Sequence, residues 1–316
     1  MTNDTPSNGS LTDDTHLGRV ALRVGSLDRV VPFYRDVVGL TVERERDGSR
    51  AVLSAGETPV VVLDEDPDAP ERGRREAGLF HLAVRVPDRG ALGDVLSRAR
   101  TRASDAGGTL SGASDHLVSE ALYFRDPEGH GVEVYRDRPR EEWPWADDRR
   151  VSMDTLPLDL GALADDAAGD EVAPDGTDLG HVHLEVTDIS RSREFYVDAL
   201  GMRVRDEGYP GAAFVAAGEY HHHVGLNSWN TRSAPVGEGR GIEWFEVVVP
   251  DAATLDAVRE SLAAAGHEVD EDGFDETESG DGDATDATDP ADAAEATDSF
   301  VVSDPDGIGV RVVHSR

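Results

Sequence analysis

The chain has 316 residues, 65 acidic side chains against 30 basic ones, a formal charge of −35 and no cysteine. The length suits two domains of roughly 100–200 residues with full cores. The missing thiols exclude disulfides, thiol catalysis and cysteine-ligated zinc or iron–sulfur sites. So acidic a surface repels phosphates and argues against nucleic acid as a partner. Every basic residue is arginine; dense carboxylates without lysine fit a protein hydrated in concentrated salt, where charges are screened beyond ~3 Å at 1 M. No run approaches ~18 apolar residues and the first fifteen residues are polar, so no membrane contact and a cytoplasmic location are expected.

The first predicted strand opens at Leu17 (Leu-Gly-Arg-Val-Ala-Leu-Arg-Val), a helix follows over 28–38, and Gly39 stands at its C-cap position. Short β-rich runs at 51–54 and 60–63 close this unit. A second strand opens at His81, with a helix over 89–106 and β-rich runs at 121–124 and 131–135. Residues 161–178 are small, acidic and poor in apolar groups, which predicts a linker. A third strand alternates Val182, Leu184 and Val186 with His181, His183 and Glu185, and a helix over 190–200 follows with Ser190 as N-cap and Gly201 at the C-cap. The fourth strand opens near Trp244, ahead of a helix over 252–265. Residues 271–298, rich in Asp, Thr, Ala and Gly, predict a mobile surface loop. That run lacks the ligand spacing a calcium loop needs.

These elements repeat. Leu17-Gly-Arg-Val-Ala-Leu-Arg-Val and Phe33-Tyr34 recur at Leu179-Gly-His-Val-His-Leu-Glu-Val and Phe195-Tyr196, both 162 residues on. Val84-Arg-Val-Pro-Asp matches Val247-Val-Val-Pro-Asp at 163, and Asp126-Pro-Glu-Gly matches Asp304-Pro-Asp-Gly at 178, the excess lying in the acidic run. Each half divides again, with units starting near 19, 81, 181 and 244. The fold class is therefore α+β, four βαβββ modules. The expected organisation is a first half over 17–138 (modules 17–63 and 79–136), the linker 161–178, and a second half over 179–316 (modules 179–230 and 240–315).

Four such units, the Phe-Tyr pairs and the Asp-Pro-x-Gly-x-x-Val turns together resemble the vicinal oxygen chelate superfamily, which includes glyoxalase I, bleomycin-resistance proteins and type I extradiol dioxygenases. The stretch from Asp115-His-Leu-Val-Ser-Glu-Ala-Leu-Tyr-Phe-Arg-Asp-Pro-Glu-Gly-His-Gly-Val-Glu-Val to Trp143-Pro-Trp, and the run Glu219-Tyr-His-His-His-Val-Gly-Leu, are similar to its catechol 2,3-dioxygenase family. The resemblance implies two half-open barrels made of paired modules, with metal ligands from the opening position of a module's first strand and from its last strand. Here the opening positions are Arg19, His81, His181 and Trp244, and the last strands offer Glu133 and Arg311, with Gly225 in the third module. The implied ligands are His81, Glu133 and His181.

Two imidazoles and a carboxylate suit Fe(II), with Mn(II) as a substitute, and leave coordination positions for substrate and dioxygen. Since these ligands come from the second and third modules, those two must pair around the metal, and modules one and four must form the other barrel. By the same resemblance His222 is the acid–base group, Tyr123 orients the substrate and His116 supports it. His183 is expected to point elsewhere, and His130 to be a solvent-facing turn residue. The implied activity is extradiol cleavage of a catechol-type aromatic diol by dioxygen, with a homo-oligomer as an open state. A glyoxalase-like metal-dependent isomerase or lyase, and a metal-free small-ligand binder, are the alternatives.

Overall fold

The computed structural model describes residues 10–44, 48–146, 148, 150–270 and 299–315. The expected acidic loop over 271–298 lies outside them. The first module holds β1 (His16–Val24), α1 (Leu27–Phe33), β2 (Thr41–Arg44), β3 (Arg50–Ala55) and β4 (Thr58–Glu65). The second holds β5 (Gly78–Arg85), α2 (Arg89–Arg102), β6 (Thr109–Asp115), β7 (Ser119–Arg125) and β8 (Gly131–Asp137). Between the halves lie β9 (Leu156–Pro157) and α3 (Leu160–Asp165). The third module holds β10 (Asp178–Glu185), α4 (Ile189–Arg193), β11 (Arg203–Asp206), β12 (Ala212–Ala216) and β13 (Val224–Asn227). The fourth holds β14 (Gly241–Val249), α5 (Ala252–Ala264), β15 (Val269–Asp270), β16 (Ser299–Ser303) and β17 (Gly309–His314).

Within every module the first and last strands pair in parallel. Modules join through antiparallel first strands, β1 with β14 and β5 with β10. One sheet therefore runs β15-β16-β17-β14-β1-β4-β3-β2 and the other β11-β12-β13-β10-β5-β8-β7-β6-β9. The second and third modules share a sheet, as do the first and fourth.

Strand alternation decides which side chains face the helices and which face the hollow of each sheet. Leu82, Val84, Val182 and Leu184 are buried in the main core with Val95 and Leu96 of α2. Each side chain so buried contributes ~1.5–3 kcal/mol. Their neighbours His81, His181 and His183 lie on the opposite face.

The repeated Phe-Tyr motif has a structural role. After α1 and α4 the chain widens into π turns over Tyr34–Val38 and Glu194–Ala199, and Gly39 closes the first with φ +95°. Tyr34 OH donates to Asp126 Oδ2 at 3.5 Å and Tyr196 OH to Asp304 Oδ2 at 3.0 Å. Each bond ties one module's helix to the Asp-Pro turn of the next.

Two local expectations change. Asp188, not Ser190, caps α4, accepting from the N–H groups of Ser190 and Arg191, because it precedes the first turn in extended conformation. The expected linker begins with α3, capped by Asp159, which buries Leu163 against α2 at Gly93; a Cβ there would stand 2.7 Å from the Leu163 carbonyl oxygen. Among the described residues no helix is long and apolar enough to cross a membrane.

Candidate metal centre

The antiparallel β5–β10 pair sets His183 opposite His81 and His181 opposite Ala83, while parallel β8 sets Glu133 beside Ala83. Three side chains thus converge over one small residue. His81 Nε2 lies 3.0 Å from Glu133 Oε2, His181 Nε2 lies 3.3 Å from the same oxygen, and the two Nε2 atoms are 3.3 Å apart. All three residues are buried, and they are the cluster among the described residues able to hold a metal ion.

This donor set fits a divalent cation. Ligands bound at about 2.1 Å and at right angles stand about 3.0 Å apart, close to the spacings found. Burial alone would raise the Glu133 carboxyl, but His181 and His81 outweigh it and hold it well below the ordinary carboxylate range. Burial brings the His181 imidazole down to about 4, offset only in part by Glu133. An ionised carboxylate beside neutral imidazole is the form that binds a metal.

The second sheet treats the same register positions differently. Arg19 and Trp244 stand where the two histidines stand, and Glu246 binds Arg19 at 3.0 Å and Arg311 at 3.5 Å. Guanidinium groups there meet the carboxylate.

A cavity of about 210 Å³ opens over the three ligands. Phe80, Met153, Tyr209, Phe214 and Trp229 wall it, and His116, Tyr123, His183 and His222 reach into it. Tyr123 sits directly across from Glu133 on β7. Burial, then the Glu133 charge, push its phenol well above the ordinary value, so it stays neutral. His116 donates from Nδ1 to the Asp154 carbonyl at 2.6 Å, which leaves Nε2 to accept from Tyr123 OH at 2.6 Å. The Tyr123 hydroxyl thus lies within reach of two acceptors, His116 Nε2 and the Glu133 carboxylate, and its oxygen keeps acceptor capacity.

The structure brings all six proposed site residues to this cavity and corrects two readings around them. His183, expected to point away, lines the cavity with its ring 4.9 Å from that of His81, since it lies two residues from His181 on one strand face. Burial and then the neighbouring imidazoles push its pKa well down. His221, His222 and His223 occupy the turn between β12 and β13, and of the three only His222 lines the cavity. His130 is not solvent-facing: its Nδ1 donates to Asp126 Oδ2 at 2.9 Å and only 9% of the side chain is exposed.

Paired βαβββ modules with two histidines and one glutamate gathered under one cavity define the class of this protein. The chain belongs to the Glyoxalase/Bleomycin resistance protein/Dioxygenase superfamily, whose family model matches residues 16–134 and 178–312. It is 38% identical over 272 residues to Catechol-2,3-dioxygenase of Bacillus subtilis (strain 168), covering 83% of this chain and 92% of that protein. It is 28% identical over 159 residues to Biphenyl-2,3-diol 1,2-dioxygenase 3 of Rhodococcus globerulus, covering 49% of this chain and 82% of that protein. The fold is shared with glyoxalase I from Zea mays, at a TM-score of 0.55 and 19% identity, with 95% of this chain and 92% of that one covered.

Proposed function

We infer that this chain is an extradiol ring-cleaving dioxygenase that takes an aromatic diol and dioxygen, using Fe(II), for which Mn(II) can substitute, held by His81, Glu133 and His181. The observation that carries this reading is the convergence of those three side chains on one point under an aromatic-walled cavity. Three protein ligands are too few to fill a six-coordinate ion, so the cavity side stays open to reactants. When bound, the metal lowers the pKa of the diol hydroxyls and activates dioxygen beside them.

The chain's own residues do the rest. His222 takes a proton from the substrate hydroxyl and returns it as the ring opens. Burial, then the nearby imidazoles of His181 and His221, hold its pKa well below the ordinary value, so it meets substrate as a neutral base. Tyr123, anchored by His116, offers its oxygen to the hydroxyl it faces. Phe80, Phe214 and Trp229 hold the ring and exclude water. No arginine lines the cavity among the described residues; its walls therefore suit an uncharged catechol rather than one bearing a carboxylate.

The test is anaerobic loading with Fe(II), then Mn(II), followed by oxygen-electrode measurements on a catechol panel in high salt. Uptake of one dioxygen per catechol is expected, and uncharged rings should outperform carboxylated ones. In His222→Ala, turnover should fall by about 10²–10⁴-fold with metal content unchanged. No uptake with either metal would overturn the assignment.

A further inference from the structure

Behind His222 runs a chain of groups that neither metal binding nor ring-holding requires. Asp137 ends β8, and its Oδ1 lies 2.9 Å from His221 Nε2. Its Oδ2 accepts from Tyr220 OH at 3.0 Å and from Arg85 Nη1 at 3.2 Å. His221 Nδ1 in turn lies 2.7 Å from His222 Nδ1. His221 has no exposed surface, and its ring sits between Tyr220 at 4.1 Å and Trp143 at 5.3 Å. The turn itself is pinned from the N-terminal segment: Glu219 N–H donates to Asp13 Oδ1 at 2.7 Å, and Gly218 N–H to the Leu11 carbonyl at 3.1 Å.

The positions of the protons follow from donor and acceptor rules. An ionised carboxylate only accepts, so His221 carries its hydrogen on Nε2. With one N–H on each imidazole, His221 Nδ1 is bare and accepts from His222 Nδ1–H. His222 Nε2 is then the bare nitrogen, and no protein group among the described residues bonds it.

We propose that Asp137 and His221 are positioning residues that fix His222 as its Nδ1–H tautomer and so keep Nε2 free to receive the substrate's proton. This rests on reading His222 as the acid–base group. When the hydroxyl proton moves to Nε2, the imidazolium already directs its Nδ1–H along the chain toward Asp137. No side chain has to turn, and the proton returns by the same route.

Asp137→Asn tests this because the neighbours dictate how the amide sits. Arg85 is donor-only, so the Asn oxygen must face Arg85 and Tyr220, and its NH2 group must face His221 Nε2. Both imidazoles are then forced into the opposite tautomer, with a hydrogen on His222 Nε2. On the full chain loaded with diamagnetic Zn(II), long-range 15N–1H NMR should show His222 as Nδ1–H in the native protein and as Nε2–H in the variant. With Fe(II), kcat should fall on the order of 100-fold, while KM changes by less than about threefold and metal content stays put. His221→Phe keeps Asp137, Arg85 and Tyr220 in place, should lose turnover to a similar degree, and covers the case in which Asp137→Asn fails to fold. A native His222 carrying its hydrogen on Nε2, or native turnover in either variant, overturns the proposal. Should the Fe(II) protein consume no oxygen, the dioxygenase reading falls and the NMR tautomer alone decides the chain's role.

Discussion

Gly225 lies against the ring of His183, so closely that a Cβ at residue 225 would stand 2.8 Å from His183 Cδ2. The two share a register position on β10 and β13, as Ala83 and Glu133 do on β5 and β8. The third module thus gives up a carboxylate at this position, and the space goes to an imidazole. Gly225→Ala should push His183 out of place and destabilise the protein by about 1–3 kcal/mol, the range for overpacking a filled interior. Urea denaturation reads this directly; a cost under about 0.5 kcal/mol would mean the ring has room to yield.

Single losses among the three ligands should show in metal affinity before any assay of turnover. A ligand binding only the folded state stabilises it by about 2.7 kcal/mol at a hundred times its Kd. Mn(II), which tolerates air, should therefore raise the unfolding midpoint of the native chain. His81→Ala and Glu133→Gln should lose that shift and retain less than about a tenth of an equivalent after desalting. A variant that keeps the shift would remove its residue from the ligand set.

Much of this candidate site was legible because the family resemblance says which strand positions carry ligands and duplication fixes their phase. His81 and His181 occupy one repeated position, and Glu133 is the one carboxylate on a last strand at the matching place. The pairing of modules two and three followed from where those ligands lie in sequence, and the strand order carries it out. His183 was also within reach, since residues two apart share a strand face; reading it as turned away set that rule aside. Asp137 and His221 were not within reach, because 84 residues separate them and a turn, not a strand, carries the histidine. Helix α3 stayed hidden for a different reason: its small, acidic sequence has little intrinsic signal, and packing of Leu163 on α2 supplies what propensity does not.

A net charge of −35 makes a thermodynamic prediction. Repulsion among the carboxylates opposes the compact state, and salt shortens its reach to ~3 Å at 1 M. Salt also weakens exposed ion pairs such as Arg35–Asp36 and Arg150–Asp148, but such pairs contribute ~1 kcal/mol or less each. With acidic groups outnumbering basic ones about twofold, the repulsive contribution is the larger. The unfolding midpoint followed by tryptophan fluorescence should rise between 0.1 M and 2 M KCl, roughly in step with screening. A midpoint that falls would show that the ion pairs, and not the net charge, dominate, and would count against adaptation to concentrated salt.

Asp304 should leave a signature in the pH dependence of folding. Burial raises its carboxyl to about 6, against the lowering effect of hydrogen bonds from the N–H groups of Ile308 and Asp306 and from Tyr196 OH. The unfolded value is about 3.9, so the folded state binds this proton more tightly than the unfolded chain. The resulting stabilisation is complete below about pH 4 and is lost as pH rises through about 6. A rise of that size corresponds to roughly 3 kcal/mol as an upper figure. Asp304→Asn keeps the acceptor for the turn's N–H groups and mimics the protonated acid without titrating. The stability difference, native minus variant, should therefore be most positive near pH 4 and decline by about 2–3 kcal/mol toward pH 7. Taking the difference removes groups such as Glu133 and Asp137, whose lowered pKa values work in the opposite direction. Denaturation curves at fixed salt across that window measure it, and a difference independent of pH would show that Asp304 ionises as freely in the fold as out of it.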